Sequence, residues 1–153
     1  MIDFIKRKMC SQKDVDNTAR DFLKTLENET SSTHATIIGL SGDLGSGKTT
    51  FTQAVARALN IKEYITSPTF VIEKIYNISP TAKSRFTRLV HIDAYRLESP
   101  QELVAIDFLK IIAEPTNLIF IEWPERLGDL LPSFTKKLVF NFVNETTRSV
   151  TSA

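Results

Sequence analysis

Apolar residues recur along the first third of the chain with a helical period and then in a compact run. Residues 11–30 carry apolar side chains at helical spacing and open on Ser-Gln-Lys-Asp, a possible capping box. Residues 35–41 form a short apolar run rich in β-branched side chains, which predicts a buried strand. The alanine-rich residues 49–59 predict a second helix. A strand, a loop and a helix therefore follow one another directly.

The rest of the chain alternates between strand and helix patterns. Residues 70–76 and 86–93 predict two strands joined by a short polar turn that contains Pro80, and so short a connection favours an antiparallel pair. The later predicted elements are a helical stretch over 99–113, a buried strand over 118–122, and a final hairpin of strands 138–144 and 148–151. Helices that alternate with buried strands predict a three-layer α/β domain.

Composition narrows the classes of protein that the chain can belong to. Its 153 residues fit one domain, 1–153, and 42% hydrophobic with 24% charged residues is ordinary for a soluble globular protein. A net charge of +1 argues against a large nucleic-acid surface. A single cysteine, Cys10, and the lack of any apolar run near ~18 residues predict a cytoplasmic protein without a membrane span.

The glycines of the chain are concentrated at one loop. Three of the five lie between Gly42 and Gly47, directly before Lys48, and Gly42-x-x-x-x-Gly47-Lys48-Thr49 satisfies the Walker A pattern. Glycines let successive backbone N–H groups converge on phosphate oxygens, and the N-terminus of the next helix adds positive charge. Lys48 is expected to neutralise the β- and γ-phosphates of a nucleotide, and the Thr49 hydroxyl to bind Mg²⁺.

This loop predicts both a fold and a set of nucleotide-binding residues. The fold is a P-loop NTPase-like α/β domain with a mixed sheet, parallel in its core with antiparallel additions. A turn without a ligand is the alternative, but the strand before and the helix after the loop favour a phosphate site. Thr50 is placed to reach the α-phosphate. The predicted binding residues of the loop are Asp43, Leu44, Gly45, Ser46, Gly47, Lys48, Thr49 and Thr50.

Two acidic residues are candidates for a second Mg²⁺ contact. Glu122 follows four consecutive apolar residues and therefore resembles a Walker B acid more closely. Asp93 ends a strand-like run that His91 interrupts. A carboxylate directly after a buried strand emerges at the carboxyl edge of the sheet, where open α/β folds bind ligands. An ordinary acid at a strand end remains the alternative for each residue.

The segment Ser67-Pro68-Thr69-Phe70 is a candidate switch loop. Pro68 stiffens the chain before a predicted strand, while Ser67 and Thr69 offer hydroxyl groups close to a γ-phosphate. A loop of this kind senses the state of a bound nucleotide. A polar turn at the start of a strand is the alternative.

Four segments together resemble one known family. They are G-D-L-G-S-G-K-T-T-F at 42–51, S-P-T-F at 67–70, H-I-D-A-Y-R at 91–96 and I-E-W-P-E-R-L at 121–127. In this order and spacing they resemble TsaE, the bacterial ATPase of tRNA threonylcarbamoyladenosine biosynthesis. The resemblance covers residues 18 to about 132, and only the Walker A segment is specific when taken alone.

The resemblance implies an ATP- and Mg²⁺-dependent ATPase that works with the TsaB and TsaD proteins. That machinery modifies the adenosine next to the anticodon of tRNAs reading ANN codons, and ATP hydrolysis resets the complex rather than performing the transfer. In family terms Thr49 and Glu122 would hold Mg²⁺, while Asp93 would position the attacking water. Thr69 would lie near the γ-phosphate, and Thr18 near the nucleotide base.

Aromatic and basic residues of the same segments also match the family. Arg96 and Arg126 would contact phosphate, form structural salt bridges or meet a partner, and Trp123 would pack beneath the site. Other classes have weaker support, because no guanine-reading N-K-x-D sequence is present. A small-molecule kinase would need an arginine-bearing lid, for which Arg85 and Arg88 are the candidates. A nucleotide-binding regulator with little turnover is a third possibility.

Overall fold

A computed structural model describes residues 6–66 and 72–153 of the chain. Within these residues, seven strands form one mixed sheet in the order β1-β7-β6-β2-β5-β4-β3. The strands are β1 (Arg7–Met9), β2 (Thr36–Ser41), β3 (Glu73–Asn77), β4 (Arg88–Asp93), β5 (Asn117–Glu122), β6 (Lys136–Asn144) and β7 (Thr147–Ser152). The pairs β6–β2, β2–β5 and β5–β4 are parallel, and the outer pairs are antiparallel. The mixed sheet with a parallel core and antiparallel additions is therefore confirmed.

Helical elements cover both faces of the sheet. The α-helices are α1 (Gln12–Glu27), α2 (Lys48–Ala58) and α3 (Phe108–Ala113), and 3₁₀ segments span Pro80–Ala82, Pro100–Ile106 and Pro124–Leu130. Helices α1 and α2 pack together on one face, over a core in which the rings of Phe22, Phe51 and Phe120 contact one another. On the other face, α3 and 3₁₀ residues pack against a second apolar cluster. The three-layer arrangement is thus also confirmed.

The helical stretch expected over 99–113 is divided in two. Asp107 has left-handed backbone angles (φ 58°, ψ 37°) and separates the 3₁₀ segment from α3. Leu103 and Phe108 are both buried in the same apolar cluster. In a continuous α-helix, five positions of separation would turn these side chains about 140° apart. The predicted stretch is therefore helical on both sides of a break at Asp107, and Leu103 and Phe108 both reach the core.

The amino-terminal strand β1 is absent from the sequence-based prediction. Its three residues pair antiparallel with β7, and Met9 is buried while Arg7 and Lys8 remain exposed. A strand this short carries no periodic pattern, and its partner lies some 140 positions away along the chain. The predicted strand 70–76 is only partly testable, since residues 70 and 71 lie outside the described residues and β3 begins at Glu73.

The glycine just upstream of the Walker loop has a packing role. Gly39 lies in β2, and a Cβ atom at this position would stand 2.9 Å from Cγ of Pro124. The absence of a side chain therefore lets the turn after β5 close against the sheet. In the described part of the chain, no helix is both long enough and apolar enough to cross a membrane.

Candidate phosphate and metal site

The Walker loop lies between the carboxyl end of β2 and the start of α2, as its sequence predicts. Gly42 adopts φ +146°, and a Cβ atom there would lie 2.5 Å from the carbonyl oxygen of Phe140 and 2.7 Å from Oγ of Ser46. Only glycine fits this position without displacing the backbone of β6. Gly47 forms the N-cap of α2 with left-handed angles, so the helix N-terminus faces the loop.

Lys48 is held against the loop that precedes it. Its Nζ donates hydrogen bonds to the carbonyl oxygens of Gly42 and of Asp43, the latter at 3.0 Å, and it lies 4.7 Å from the centre of the Trp123 ring. The residue is only 5% exposed. Burial lowers the pKa of Lys48, while the nearby carboxylates of Glu122 and Asp93 act in the opposite direction. The ammonium group is therefore fixed at the mouth of the phosphate loop.

Glu122 is the acidic residue that meets the Walker loop. It ends β5, is 4% exposed, and its Oε1 accepts a hydrogen bond of 2.9 Å from Oγ1 of Thr49. Nε2 of His91 lies 3.3 Å from the same oxygen. Burial alone would raise the pKa of Glu122, but the partners of its carboxylate, first His91 and then Thr49 and Lys48, together lower that pKa. Glu122 is thus favoured as a carboxylate.

Asp93 lies next to Glu122 at the same edge of the sheet. The two residues are register partners at the ends of the parallel strands β4 and β5. Oδ1 of Asp93 accepts a hydrogen bond of 2.9 Å from the backbone N–H of Tyr95. Asp93 is more exposed than Glu122, and its negative charge acts to raise the pKa of Lys48 in the loop.

A cavity of about 960 Å³ opens over the loop. The Walker residues Lys48 and Thr49, together with Asp93 and Glu122, line it. Residues of the connection between β1 and α1 and of the turn between β6 and β7 also line it. Predicted residues that also line the cavity are Leu44, Gly45, Gly47 and Thr50, along with Tyr95, Arg96 and Trp123. The volume lies within the usual range of small-molecule and cofactor pockets.

Three further predicted residues, Asp43, Ser46 and Thr18, are not among the residues that line the cavity. The carbonyl of Asp43 accepts from Lys48, and Ser46 is buried beneath the loop, so both contribute structure to the Walker turn. Thr18 is buried on the inner face of α1, where its hydroxyl donates to the carbonyl of Asp14 at 2.7 Å. From α1, Gln12 and Val15 line the cavity instead. Thr69 lies outside the described residues, so its role stays a prediction.

Sequence reasoning did not identify Arg148 as a residue of this site. Its Nε donates a hydrogen bond of 2.7 Å to the carbonyl oxygen of Gly45, and its guanidinium lies 4.4 Å from the ring of Phe142. Strand β7 thus reaches the tip of the Walker loop. No local motif marks Arg148, and only the pairing of β7 with β6 brings it to the loop.

The arginines considered for a kinase lid lie away from the cavity. Arg85 donates hydrogen bonds to the carbonyl of Leu26 at the carboxyl end of α1, whereas the amino end of α1 borders the cavity. Helix α1 has 16 residues, about 24 Å of length. Arg88 begins β4, and Asp93 at the cavity ends that strand. Neither arginine is therefore placed to act as a lid.

Trp123 gives an optical signal for occupation of the loop. It is the only tryptophan of the chain, and its ring contacts both the Lys48 ammonium and the Tyr95 ring. Nucleotide phosphates would compete with backbone carbonyls for Lys48, so we expect ATP to change the intensity or maximum of tryptophan emission. A titration followed by fluorescence checks this, with Lys48→Ala as the unresponsive control. Calorimetric binding of ATP without any emission change would contradict the expectation.

The fold and the loop together define a P-loop nucleotide-binding protein of the ATPase type. The family model described as "Threonylcarbamoyl adenosine biosynthesis protein TsaE" matches residues 9–150. The chain belongs to this family.

Individual relatives agree with this assignment. Three proteins named "tRNA threonylcarbamoyladenosine biosynthesis protein TsaE" are similar to the chain. That of Treponema pallidum is 34% identical over 76% of this chain and 81% of its own. That of Borreliella burgdorferi is 37% identical over 67% and 74%, and that of Bacillus subtilis 32% identical over 75% and 67%. The crystal structure of Bacillus subtilis YdiB has the same fold, with a TM-score of 0.66 and 23% identity over 97% of this chain and 83% of that one.

Proposed function

We propose that the chain is the Mg²⁺-dependent ATPase of tRNA threonylcarbamoyladenosine formation. The observation that carries the proposal is the hydrogen bond between Thr49 of the Walker loop and Glu122 at the end of β5. A threonine hydroxyl can donate its proton to a carboxylate and still offer a lone pair to a cation. Oxygen ligands of this kind, completed by phosphate oxygens and water, suit Mg²⁺. The residues present therefore fit the metal.

Each residue of the site has a distinct task in ATP hydrolysis. Backbone N–H groups between Asp43 and Thr50 bind the phosphates, and Lys48 exchanges its carbonyl partners for phosphate oxygens. Bound Mg²⁺ would supply charge that stabilises the departing phosphate. Asp93, at the cavity edge beside Glu122, orients the attacking water and accepts its proton. Thr69 of the switch segment would add a contact near the γ-phosphate.

Membership of the family supports a role for the chain in tRNA modification. We infer that the chain acts in the cytoplasm with TsaB and TsaD, and that ATP hydrolysis resets their complex instead of transferring the threonylcarbamoyl group. A net charge of +1 argues against tRNA contact through this chain alone, because phosphate-driven binding needs several cations on one surface. The position of Arg85 and Arg88 leaves a small-molecule kinase without support.

Phosphate release in the presence of partners tests the proposed function. We expect slow release from ATP and Mg²⁺ by the chain alone and an altered rate when TsaB and TsaD are added. Co-purification with these proteins, with and without a non-hydrolysable ATP analogue, identifies the nucleotide state that they recognise. Phosphorylation of a metabolite in the absence of any partner would contradict the proposal.

A further inference from the structure

We propose that His91 is a positioning residue for the metal site, because it orients the carboxylate of Glu122 from the interior of the sheet. The inference rests on the proposed function, since it takes Thr49 and Glu122 to be the protein contacts of Mg²⁺. His91 itself does not border the cavity. It acts through Glu122 and touches neither the metal nor the nucleotide.

The alternation of side chains along strand β4 places His91 on the same face of the sheet as Asp93, farther from the cavity. Leu89, His91 and Asp93 point to the same face, because side chains of a strand alternate with period two. His91 is a register neighbour of Phe120, two positions before Glu122 on the parallel strand β5. Its ring therefore lies farther from the carboxyl edge of the sheet than the Glu122 carboxylate that it contacts. The side chain is completely buried, with 0% exposure.

The hydrogen-bond pattern selects one form of the ring. Nε2 lies 3.3 Å from Oε1 of Glu122, and a carboxylate oxygen can only accept, so Nε2 carries the proton. Nδ1 of His91 is buried and has no partner among the residues that the structure describes. The ring therefore donates through Nε2, and Oε1 of Glu122 accepts.

Two donors then determine where the Glu122 carboxylate points. Thr49 approaches Oε1 from the Walker loop, and His91 approaches the same atom from the interior of the sheet. If Thr49 were the sole donor, the carboxylate would be free to rotate whenever the loop moved. His91 belongs to β4, which is flanked by β3 and β5, and it contacts Glu122 independently of the loop. Hydrogen bonds behind a metal ligand of this kind typically change metal affinity by about 10- to 100-fold.

The test compares nucleotide affinity with and without the metal. AMP-PNP is titrated by calorimetry into each variant in EDTA and then in saturating Mg²⁺. The readout is the Kd in EDTA divided by the Kd in Mg²⁺. We expect His91→Leu to lower this ratio by about 10-fold or more while leaving the Kd in EDTA unchanged. A merely structural role would weaken binding in both conditions. An unchanged ratio in His91→Leu would overturn the proposal.

A pair of polar variants keeps the test decisive if His91→Leu does not fold. Glutamine can place an N–H donor near the position of Nε2, whereas asparagine is too short to do so. His91→Gln is therefore expected to keep the wild-type ratio, and His91→Asn to lose it. Equal ratios in the two variants would overturn the proposal. His34→Gln, at the other histidine of the chain, is the matched control.

Failure of the proposed metal site would look different. In that case the wild-type protein would bind AMP-PNP equally well in EDTA and in Mg²⁺, or Glu122→Gln would keep the full wild-type ratio. A wild-type ratio that depends on Glu122 but not on His91 would leave the metal site intact and remove only the positioning role.

Discussion

Replacement of Lys48 by alanine is expected to lower the affinity for ATP by about 100-fold or more. A hydrogen bond between charged partners contributes up to about 3 kcal/mol, and the Lys48 ammonium is the buried cation of the Walker loop. The loop itself should persist, because Gly42 is fixed by its fit against β6. Calorimetric titration with ATP measures the change, and circular dichroism confirms that the variant is folded.

Lys62→Ala is the matched control for this variant. Lys62 is exposed in the segment after α2 and does not line the cavity, so its removal should leave ATP binding unchanged. Wild-type affinity in Lys48→Ala would mean that the nucleotide does not use the Walker loop.

Replacement of Glu122 by glutamine is expected to slow Mg²⁺-dependent hydrolysis by about 100- to 1000-fold. Glutamine preserves the size of the side chain and can still accept from Thr49, but it carries no charge to hold Mg²⁺. Binding of ATP in EDTA should remain close to that of the wild type, because Lys48 and the loop are intact. Steady-state phosphate release over a range of Mg²⁺ concentrations measures the effect.

The comparison with Asp93 decides which acid serves the metal. If Glu122→Gln hydrolyses ATP at the wild-type rate and Asp93→Asn loses its response to Mg²⁺, the metal contact belongs to Asp93. In our account, Asp93→Asn lowers the rate at every Mg²⁺ concentration, since its carboxylate acts on water. Glu63→Gln, at an exposed position outside the cavity lining, serves as the control for loss of an acid.

Local patterns predicted the elements on which the phosphate site depends. The Walker loop lies between a strand and a helix, and Glu122 follows a buried strand, as the sequence indicated. These features depend on residues that are neighbours along the chain. The family resemblance added the order and spacing of the later segments. The family-model match over residues 9–150 confirms the resemblance.

Features that depend on long-range pairing could not be predicted in the same way. The sequence marked His91 as an interruption of an apolar run and as the first residue of a family segment, but its contact with Glu122 exists because β4 and β5 are parallel neighbours. Arg148 reaches the Walker loop through the pairing of β6 and β7. The break at Asp107 arises from two side chains that must enter the same core. Each of these follows from tertiary packing and leaves no local signature.

Crystals of the chain grown with AMP-PNP and Mn²⁺ test the central claim most directly. Mn²⁺ replaces Mg²⁺ among oxygen ligands and gives an anomalous signal that locates it without ambiguity. We expect one anomalous peak between Oγ1 of Thr49 and the carboxylate of Glu122, with the β-phosphate enclosed by the Walker loop and bonded to Lys48. A peak held by Asp93 without Thr49 and Glu122, or a nucleotide bound away from the loop, would contradict this account.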